Sequence, residues 1–200
     1  RLPDKSLRTL TYGEIYRRTR ALGSALHRLG LKKGDRVATL CWNHREHLEC
    51  YFAVPWTGAV AHTLNLRLHV DELAYIVGHA GDRVAIVDAM LLPLWDQVQA
   101  RLPDGARVAH TVVVREGLAA PNDGPALDYD ALIAAEDPAA FVEADVDERD
   151  AAAMCYTSGT TGRPKGVLYS HRSLVLHSLA GAAVDAFGVR ESDVVLPVVP

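Results

Sequence analysis

The chain has 200 residues, of which 49% are hydrophobic, and it carries 21 lysines and arginines against 25 aspartates and glutamates. This content is sufficient for a buried core, and a net charge of -4 supplies no basic surface for nucleic acid or for an anionic membrane. Three cysteines without CxxC spacing argue against a disulfide framework and a zinc site, and no apolar run approaches the roughly 18 residues of a membrane span. We therefore expect a cytoplasmic protein that acts on small molecules.

The first part of the chain alternates predicted helices and strands. Thr11 and Glu14 form a capping box that begins a helix, and Gly30 ends it. Asn43, with Glu46 three residues later, predicts the start of a second helix that ends at Gly58. Further helices are predicted over residues 68–80 and 91–102, and strands over residues 36–41, 59–65, 84–87 and 106–114.

Strands that alternate with helices of this length indicate βαβ units. They predict an α/β fold with a layered parallel sheet and helices on both faces over residues 1–115. The pentapeptide GDRVA occurs at Gly34–Ala38 and again at Gly81–Ala85, each time between a helix and a strand. No other positions match between the two regions, which favours similar helix-to-strand turns over an internal duplication.

An acidic segment separates this region from the rest of the chain. Residues 116–150 are rich in alanine, proline and acidic residues, and they predict a solvated connection with one short helix over Tyr129–Ala135. An acidic segment that binds a partner protein is the alternative, but charge runs are more often solvated faces.

The last region, residues 151–200, contains the stretch with most chemical information. AAAMCYT predicts a strand, residues 158–165 a loop, GVLYS a second strand, and residues 170–187 a helix, with a further strand near the end. Because the sequence begins at Arg1 without a methionine and ends on the apolar run VVLPVVP, we expect a fragment of a longer protein.

The loop has the composition of a phosphate-binding site. Gly159 and Gly162 permit a close approach of backbone N–H groups to an anion, and Lys165 adds a positive charge. The spacing excludes a Walker A loop, because Lys165 follows a proline and precedes a glycine. An ordinary hairpin turn is the alternative, but it would need fewer such residues. Hydroxyl donors are supplied by Thr157, Ser158, Thr160 and Thr161.

The whole stretch MCYTSGTTGRPKG resembles the signature of the AMP-binding, adenylate-forming superfamily, which includes acyl-CoA synthetases, luciferase-type enzymes and peptide-synthetase adenylation domains. The upstream stretches LTYGEIYRRTRALGSAL, LGLKKGDRVAT and WNHREHLECYFAVPWTGAV are similar to the same family. The segment GAVAHTLNLRL, at Gly58–Leu68, resembles medium- and long-chain fatty acyl-CoA synthetases and their short-chain thioether-acid relatives.

The resemblance implies an ATP-dependent fatty acid–CoA ligase, whose AMP-binding domain begins with residues 1–200. A carboxylate attacks the α-phosphorus of ATP to give an acyl-adenylate and pyrophosphate, and the thiol of coenzyme A then displaces AMP. The family's catalytic lysine lies in a C-terminal domain that is absent here, so no catalytic residue is assigned and the isolated chain is expected to be inactive. By the same resemblance the ATP phosphates are held by Thr157, Ser158, Gly159, Thr160, Thr161, Gly162 and Lys165, with Thr157 closest to Mg²⁺.

Two other functions stay open from the sequence. The first is a different adenylate-forming ligase, specific for aryl acids or loading a carrier protein, and the second is a non-catalytic nucleotide-binding module. The resemblance is compatible with a homodimer.

Several residues outside the loop invite a functional interpretation. His44 and His47 flank Glu46, but the inverted zincin pattern HxxEH fails by one residue, which disfavours a metal site. His62 is interpreted as a hydrogen-bonded core histidine, with a substrate channel as the alternative. His171 is either a helix-start residue or a nucleotide contact. Cys155 is interpreted as a small buried side chain, and the core is expected to contain Trp42, Trp56 and Trp95.

Overall fold

The fold is an α/β sheet with helices on both faces, seen in a computed structural model that describes residues 8–103, 105–115, 125–157 and 162–196. The strands are β1 (Arg36–Leu40), β2 (Val60–Thr63), β3 (Val84–Asp88), β4 (His110–Val114), β5 (Leu127–Asp128), β6 (Ala151–Thr157) and β7 (Lys165–Ser170). The helices are α1 (Tyr12–Arg28), α2 (Arg45–Trp56), α3 (Val70–Ala80), α4 (Leu92–Arg101), α5 (Tyr129–Ala134) and α6 (His171–Ala182).

The described strands form one sheet in the order β5-β4-β3-β1-β2-β6-β7. All neighbours pair in parallel except β6 and β7, which are antiparallel. The central strands β1 and β3 are almost continuous runs of buried apolar residues, as expected for strands that are covered on both faces. The predicted fold class is confirmed.

Each face of the sheet has its own apolar layer. On one face α1, α2 and α5 bury Leu22, Val54 and Tyr129, and on the other α3 and α4 bury Leu73 and Trp95. The prediction of Trp95 as a core residue is thus confirmed.

The other two tryptophans are less buried than predicted. Trp56 is only half-buried and packs edge-on against Phe141, with the ring centroids 5.6 Å apart. Trp42 is 51% exposed, so its assignment to the core was wrong. Trp42 lies two residues beyond Leu40, the end of β1, and therefore in a connecting loop, outside the layer that the strand buries.

The capping predictions were right for α1 and displaced for α2. Thr11 and Glu14 form the reciprocal capping box, with the Glu14 amide donating to Thr11 Oγ1 at 3.2 Å and the Thr11 amide donating to Glu14 Oε2 at 2.7 Å. At α2 the cap is His44 and not Asn43, because His44 is the last extended residue and its Nδ1 accepts from the His47 amide at 3.2 Å. An imidazole nitrogen here replaces the oxygen that usually caps a helix.

The two GDRVA sequences are helix-to-strand turns, as predicted. Gly34 and Gly81 have φ of 82° and 65°, a region that glycine enters without strain. The turns lie side by side because β1 and β3 are neighbours, and Arg36 joins them. Its Nε donates to the carbonyl of Ala80 at 2.7 Å, and its Nη1 donates to the carbonyl of Gly34 at 3.0 Å.

The acidic segment is more integrated into the core than predicted. Its short helix is confirmed as α5, but β5 extends the sheet beside β4, and Tyr129 and Phe141 are both buried. Phe141 packs so closely against α1 that a Cβ added to Gly23 would overlap its ring. The prediction of a solvated connection was therefore wrong for described residues 125–141. A few apolar side chains among the acidic ones supply the buried contacts.

The final helix is shorter than predicted and exposed. Ser170 caps α6 by accepting from the Ser173 amide at 3.1 Å, and the helix ends at Ala182 instead of Phe187. No strand follows among the described residues up to 196, and residues 197–200 lie outside them.

Candidate nucleotide-binding site

The predicted loop stands on an antiparallel hairpin. Thr157, the last residue of β6, pairs with Lys165, the first residue of β7, and both side chains are exposed. Two of the predicted phosphate-binding residues are thus brought side by side at the mouth of the loop. Gly162 lies between them in sequence with φ of 107°, so it uses the conformational freedom expected of it. Ser158, Gly159, Thr160 and Thr161 lie outside the described residues.

Strand β6 places this mouth at the ligand-binding edge of the sheet. It pairs in parallel with β2, where Ala61 lies opposite Ala153, so β6 ends at the same edge as the carboxyl ends of β1, β2 and β3. Open α/β sheets bind ligands outside the carboxyl ends of their parallel strands. The hairpin mouth therefore has the location expected of a binding site, independently of its sequence.

A cavity of about 260 Å³ lies beside the hairpin, between the ends of β1, β2 and β6. Cys155 contributes to its wall and is half-buried, with its Sγ 3.8 Å from the hydroxyl of Tyr169. The interpretation of Cys155 as a small buried side chain is therefore wrong, because the side chain is only half-buried. The cavity wall also includes Cys41, Asn43, His47, Thr63, Asn65 and Tyr156.

His47 is a buried neutral histidine in the wall of this cavity. Its residue is 7% exposed, and its Nε2 lies 3.0 Å from Thr39 Oγ1. Burial disfavours the imidazolium, and the neighbouring His44 adds to the effect, so the pKa of His47 is lowered to about 4 from its ordinary value of 6.5. At mildly acidic pH the folded protein therefore binds fewer protons at His47 than the unfolded chain does.

This lowered pKa predicts a loss of stability on acidification. Between pH 6.5 and 4 the unfolded chain binds the extra proton, so stability falls as pH falls, by about 1.4 kcal/mol per pH unit. We expect His47→Gln to reduce the difference in unfolding free energy between pH 7 and pH 5 by about 2 kcal/mol. Urea unfolding of both proteins at the two pH values measures this. An equal difference in the two proteins would contradict the assignment.

His44 joins the loop after β1 to the end of β3. Its Nε2 lies 2.7 Å from Asp88 Oδ1, and Asp88 Oδ2 accepts from the Trp42 amide at 2.7 Å. Cys41, His44 and Asp88 place possible metal-ligand atoms within 4.8 Å of one another. However, the Sγ of Cys41 donates to the carbonyl of Ile86 at 3.3 Å, and burial raises the pKa of this thiol well above its usual value. These hydrogen bonds and the helix cap give His44 a structural role that the sequence did not reveal.

Of the two remaining histidines, His62 lies in strand β2 and His171 lies at the start of helix α6. The Nδ1 of His62 lies 2.9 Å from both carboxylate oxygens of Asp82, and both side chains are fully buried, which confirms a hydrogen-bonded core histidine. His171 is the first residue of α6, as in the helix-start interpretation.

Comparison with known proteins gives the same assignment as the motif. The family model described as AMP-binding enzyme matches residues 3–200. The long-chain-fatty-acid–CoA ligase of Thermus thermophilus is 50% identical over 200 residues, which are 100% of this chain and 35% of that protein. The medium-chain-fatty-acid–CoA ligase of Ectopseudomonas oleovorans is 43% identical over 192 residues, covering 94% of this chain and 34% of that protein.

A solved structure agrees with the fold as well. The crystal structure of the anthranilate CoA ligase AuaEII in complex with anthranoyl-AMP superposes with a TM-score of 0.79 at 30% identity, covering 90% of this chain and 33% of that one. The chain thus spans about a third of the length of the relatives it matches. In the described part of the chain, no helix has the length and apolar character needed to cross a membrane. From the phosphate-loop signature, the fold and the match over residues 3–200, the chain belongs to the AMP-binding enzyme family.

Proposed function

We propose that the complete protein containing this chain is an ATP-dependent fatty acid–CoA ligase. It forms an acyl-adenylate and pyrophosphate from a fatty acid and ATP, and then an acyl-CoA thioester with release of AMP. The observation that carries the proposal is the exposed pair of Thr157 and Lys165 at the hairpin mouth, on the carboxyl edge of the sheet. This pair is where a triphosphate would meet a hydroxyl and a cation together.

The hairpin would hold the phosphates of ATP and so orient the pyrophosphate leaving group. Lys165 would supply the cation, and the positive φ of Gly162 allows backbone N–H groups to turn toward an anion. Ser158, Gly159, Thr160 and Thr161 would complete the phosphate contacts, an assignment that rests on the family motif alone. Displacement at phosphorus needs mainly positioning and charge stabilisation from the protein, which these residue types provide.

Thr157 is suited to a magnesium ion that accompanies ATP. Mg²⁺ takes oxygen ligands and usually keeps several waters while it contacts substrate phosphates, so it needs few ligands from the protein. The exposed hydroxyl of Thr157 at the end of β6 fits that requirement. A bound Mg²⁺ would neutralise negative charge on the phosphates.

The relatives favour a fatty acid over an aryl acid as the substrate. Identity is 50% and 43% with the two fatty acid ligases, against 30% with the anthranilate ligase. The good superposition on the anthranilate ligase keeps an aryl acid as the second candidate. A cytoplasmic location and a homodimer remain predictions.

Acid-dependent exchange of labelled pyrophosphate into ATP tests the proposal in the complete protein. We expect exchange with octanoate or palmitate and much less with benzoate or anthranilate, followed by thioester formation when coenzyme A is added. Exchange with the aromatic acids alone would favour the aryl-acid ligase. Binding of ATP without exchange for any acid would favour the non-catalytic module. The isolated 200-residue chain is expected to show no exchange.

A further inference from the structure

Tyr156, the residue before Thr157, is held between the hairpin and helix α3. Its ring lies over Gly166 on the neighbouring strand, where an added Cβ would be 3.2 Å from the ring. Its hydroxyl lies 2.6 Å from Nδ1 of His79 on α3, and its ring centroid lies 5.3 Å from that of the buried His62. The absence of a side chain at Gly166 thus lets Tyr156 reach back to the helix.

Arg163, on the other side of the loop, contacts the same helix. Its guanidinium lies 5.4 Å from the centroid of the Tyr75 ring, a cation–π distance. Tyr75 and His79 are four residues apart on α3, and their rings stack with centroids 5.5 Å apart. One face of α3 therefore contacts the two stems of the loop, which are Tyr156 before it, next to Thr157, and Arg163 after it, close to Lys165.

Helix α3 is a firm support for these contacts. Leu73, Ile76 and Val77 bury its opposite side in the apolar layer against the sheet. Its first turn has a capping box, and Arg36 holds its last turn through the carbonyl of Ala80 at 2.7 Å. A helix that is packed and capped in this way can restrict the positions of side chains that contact Tyr75 and His79.

We propose that Tyr75 and His79 are positioning residues that hold the two stems of the phosphate loop. Their consequence for catalysis rests on the proposed function: with the stems held, Thr157 and Lys165 are already placed when ATP arrives, and less ordering remains to be done on binding. Among the described residues, His79 contacts the hairpin through Tyr156 and Tyr75 contacts it through Arg163, so both act through these two side chains.

Hydrogen exchange of backbone amides tests the anchoring without any assay of activity. In the complete protein, the amides of Thr157 and Lys165 should each exchange about fivefold faster in His79→Leu and in Tyr75→Leu, because about 1 kcal/mol of hydrogen bonding or cation–π contact is lost. Tyr75→Phe keeps the ring and should match the parent. Tyr12→Phe, at a position that is 92% exposed on α1, is the matched control. Unchanged exchange at both amides in both leucine variants would overturn the proposal.

Steady-state kinetics separate positioning from a general structural role. We expect the leucine variants to raise KM for ATP about fivefold to tenfold, with kcat and KM for the fatty acid nearly unchanged. Because Tyr156 and His79 share one hydrogen bond, adding Tyr156→Phe to His79→Leu should have little further effect. A fall in kcat with KM for ATP unchanged would overturn the proposal. If the parent protein showed no pyrophosphate exchange into ATP, the ligase assignment would be wrong. Faster amide hydrogen exchange in the leucine variants would still support the anchoring of the stems.

Discussion

Replacing Lys165 with alanine should lower kcat/KM for ATP in the pyrophosphate exchange reaction about a hundredfold. Lys165 is exposed at the hairpin mouth beside Thr157, where its ammonium can meet the phosphates. A hydrogen bond to a charged group is worth about 1.5–3 kcal/mol, and loss of one donor to a transition-state charge costs about 100- to 1000-fold in rate. Initial exchange rates at varied ATP concentration, with a saturating fatty acid, measure the loss.

The controls separate a local charge effect from a change in overall charge. Lys165→Arg keeps the charge but changes its shape and hydration, so it should recover only part of the activity. Lys32→Ala removes an exposed lysine ahead of β1, at the opposite edge of the sheet, and should leave the rate nearly unchanged. If Lys165→Ala behaved like Lys32→Ala, the assignment of the hairpin as a phosphate clamp would be wrong.

Replacing Glu49 with alanine should destabilise the fold by about 3–5 kcal/mol. The Glu49 carboxylate is fully buried, accepts from Arg18 Nε at 2.6 Å, and accepts from the Tyr129 hydroxyl at 2.8 Å. A second guanidinium is also close, with Arg45 Nε 3.5 Å from Glu49 Oε1. Truncation would remove the acceptor of Arg18 Nε and of the buried Tyr129 hydroxyl, and it would leave the neighbouring guanidinium charges without the buried carboxylate that compensates them.

Chemical denaturation of the parent and the variant measures this loss, and an exposed ion pair supplies the control. Asp71 accepts from Arg101 Nε at 2.8 Å, but both side chains are largely in solvent. Asp71→Asn should therefore cost less than about 1 kcal/mol. If Glu49→Ala and Asp71→Asn lowered the free energy of unfolding equally, the buried network would stabilise the fold no more than an exposed ion pair does.

The alternation of helices and strands was predictable because its causes are local. Apolar periodicity, the Thr11 and Glu14 capping box and the glycines at Gly34 and Gly81 act within a few residues. Helix starts were predictable only where the usual residue type is used. The cap of α2 was placed at Asn43 because histidine is an uncommon cap, and only the extended backbone at His44 reveals it.

The acidic segment shows where composition misleads. Its charged residues do pair at the surface, as Lys33 does with Asp150 at 2.7 Å. Tyr129 and Phe141 nevertheless enter the core, and Asp130 accepts from Arg18 at 2.8 Å. Whether such a segment packs depends on the shape of the layer formed by α1 and α2, which is not encoded within the segment itself.

Local sequence patterns were sufficient to predict the fold class, the family and the hairpin on which the phosphate loop stands. An uninterrupted motif and local periodicity were enough for these, because strand, turn and strand are adjacent in the chain. The residues that support that hairpin became visible only in the folded protein. The contact between His79 and Tyr156, and the buried group of Arg18, Glu49 and Tyr129, join residues far apart in sequence. Such contacts depend on which helix covers which face of the sheet, and therefore on strand order, which no local pattern of residues specifies.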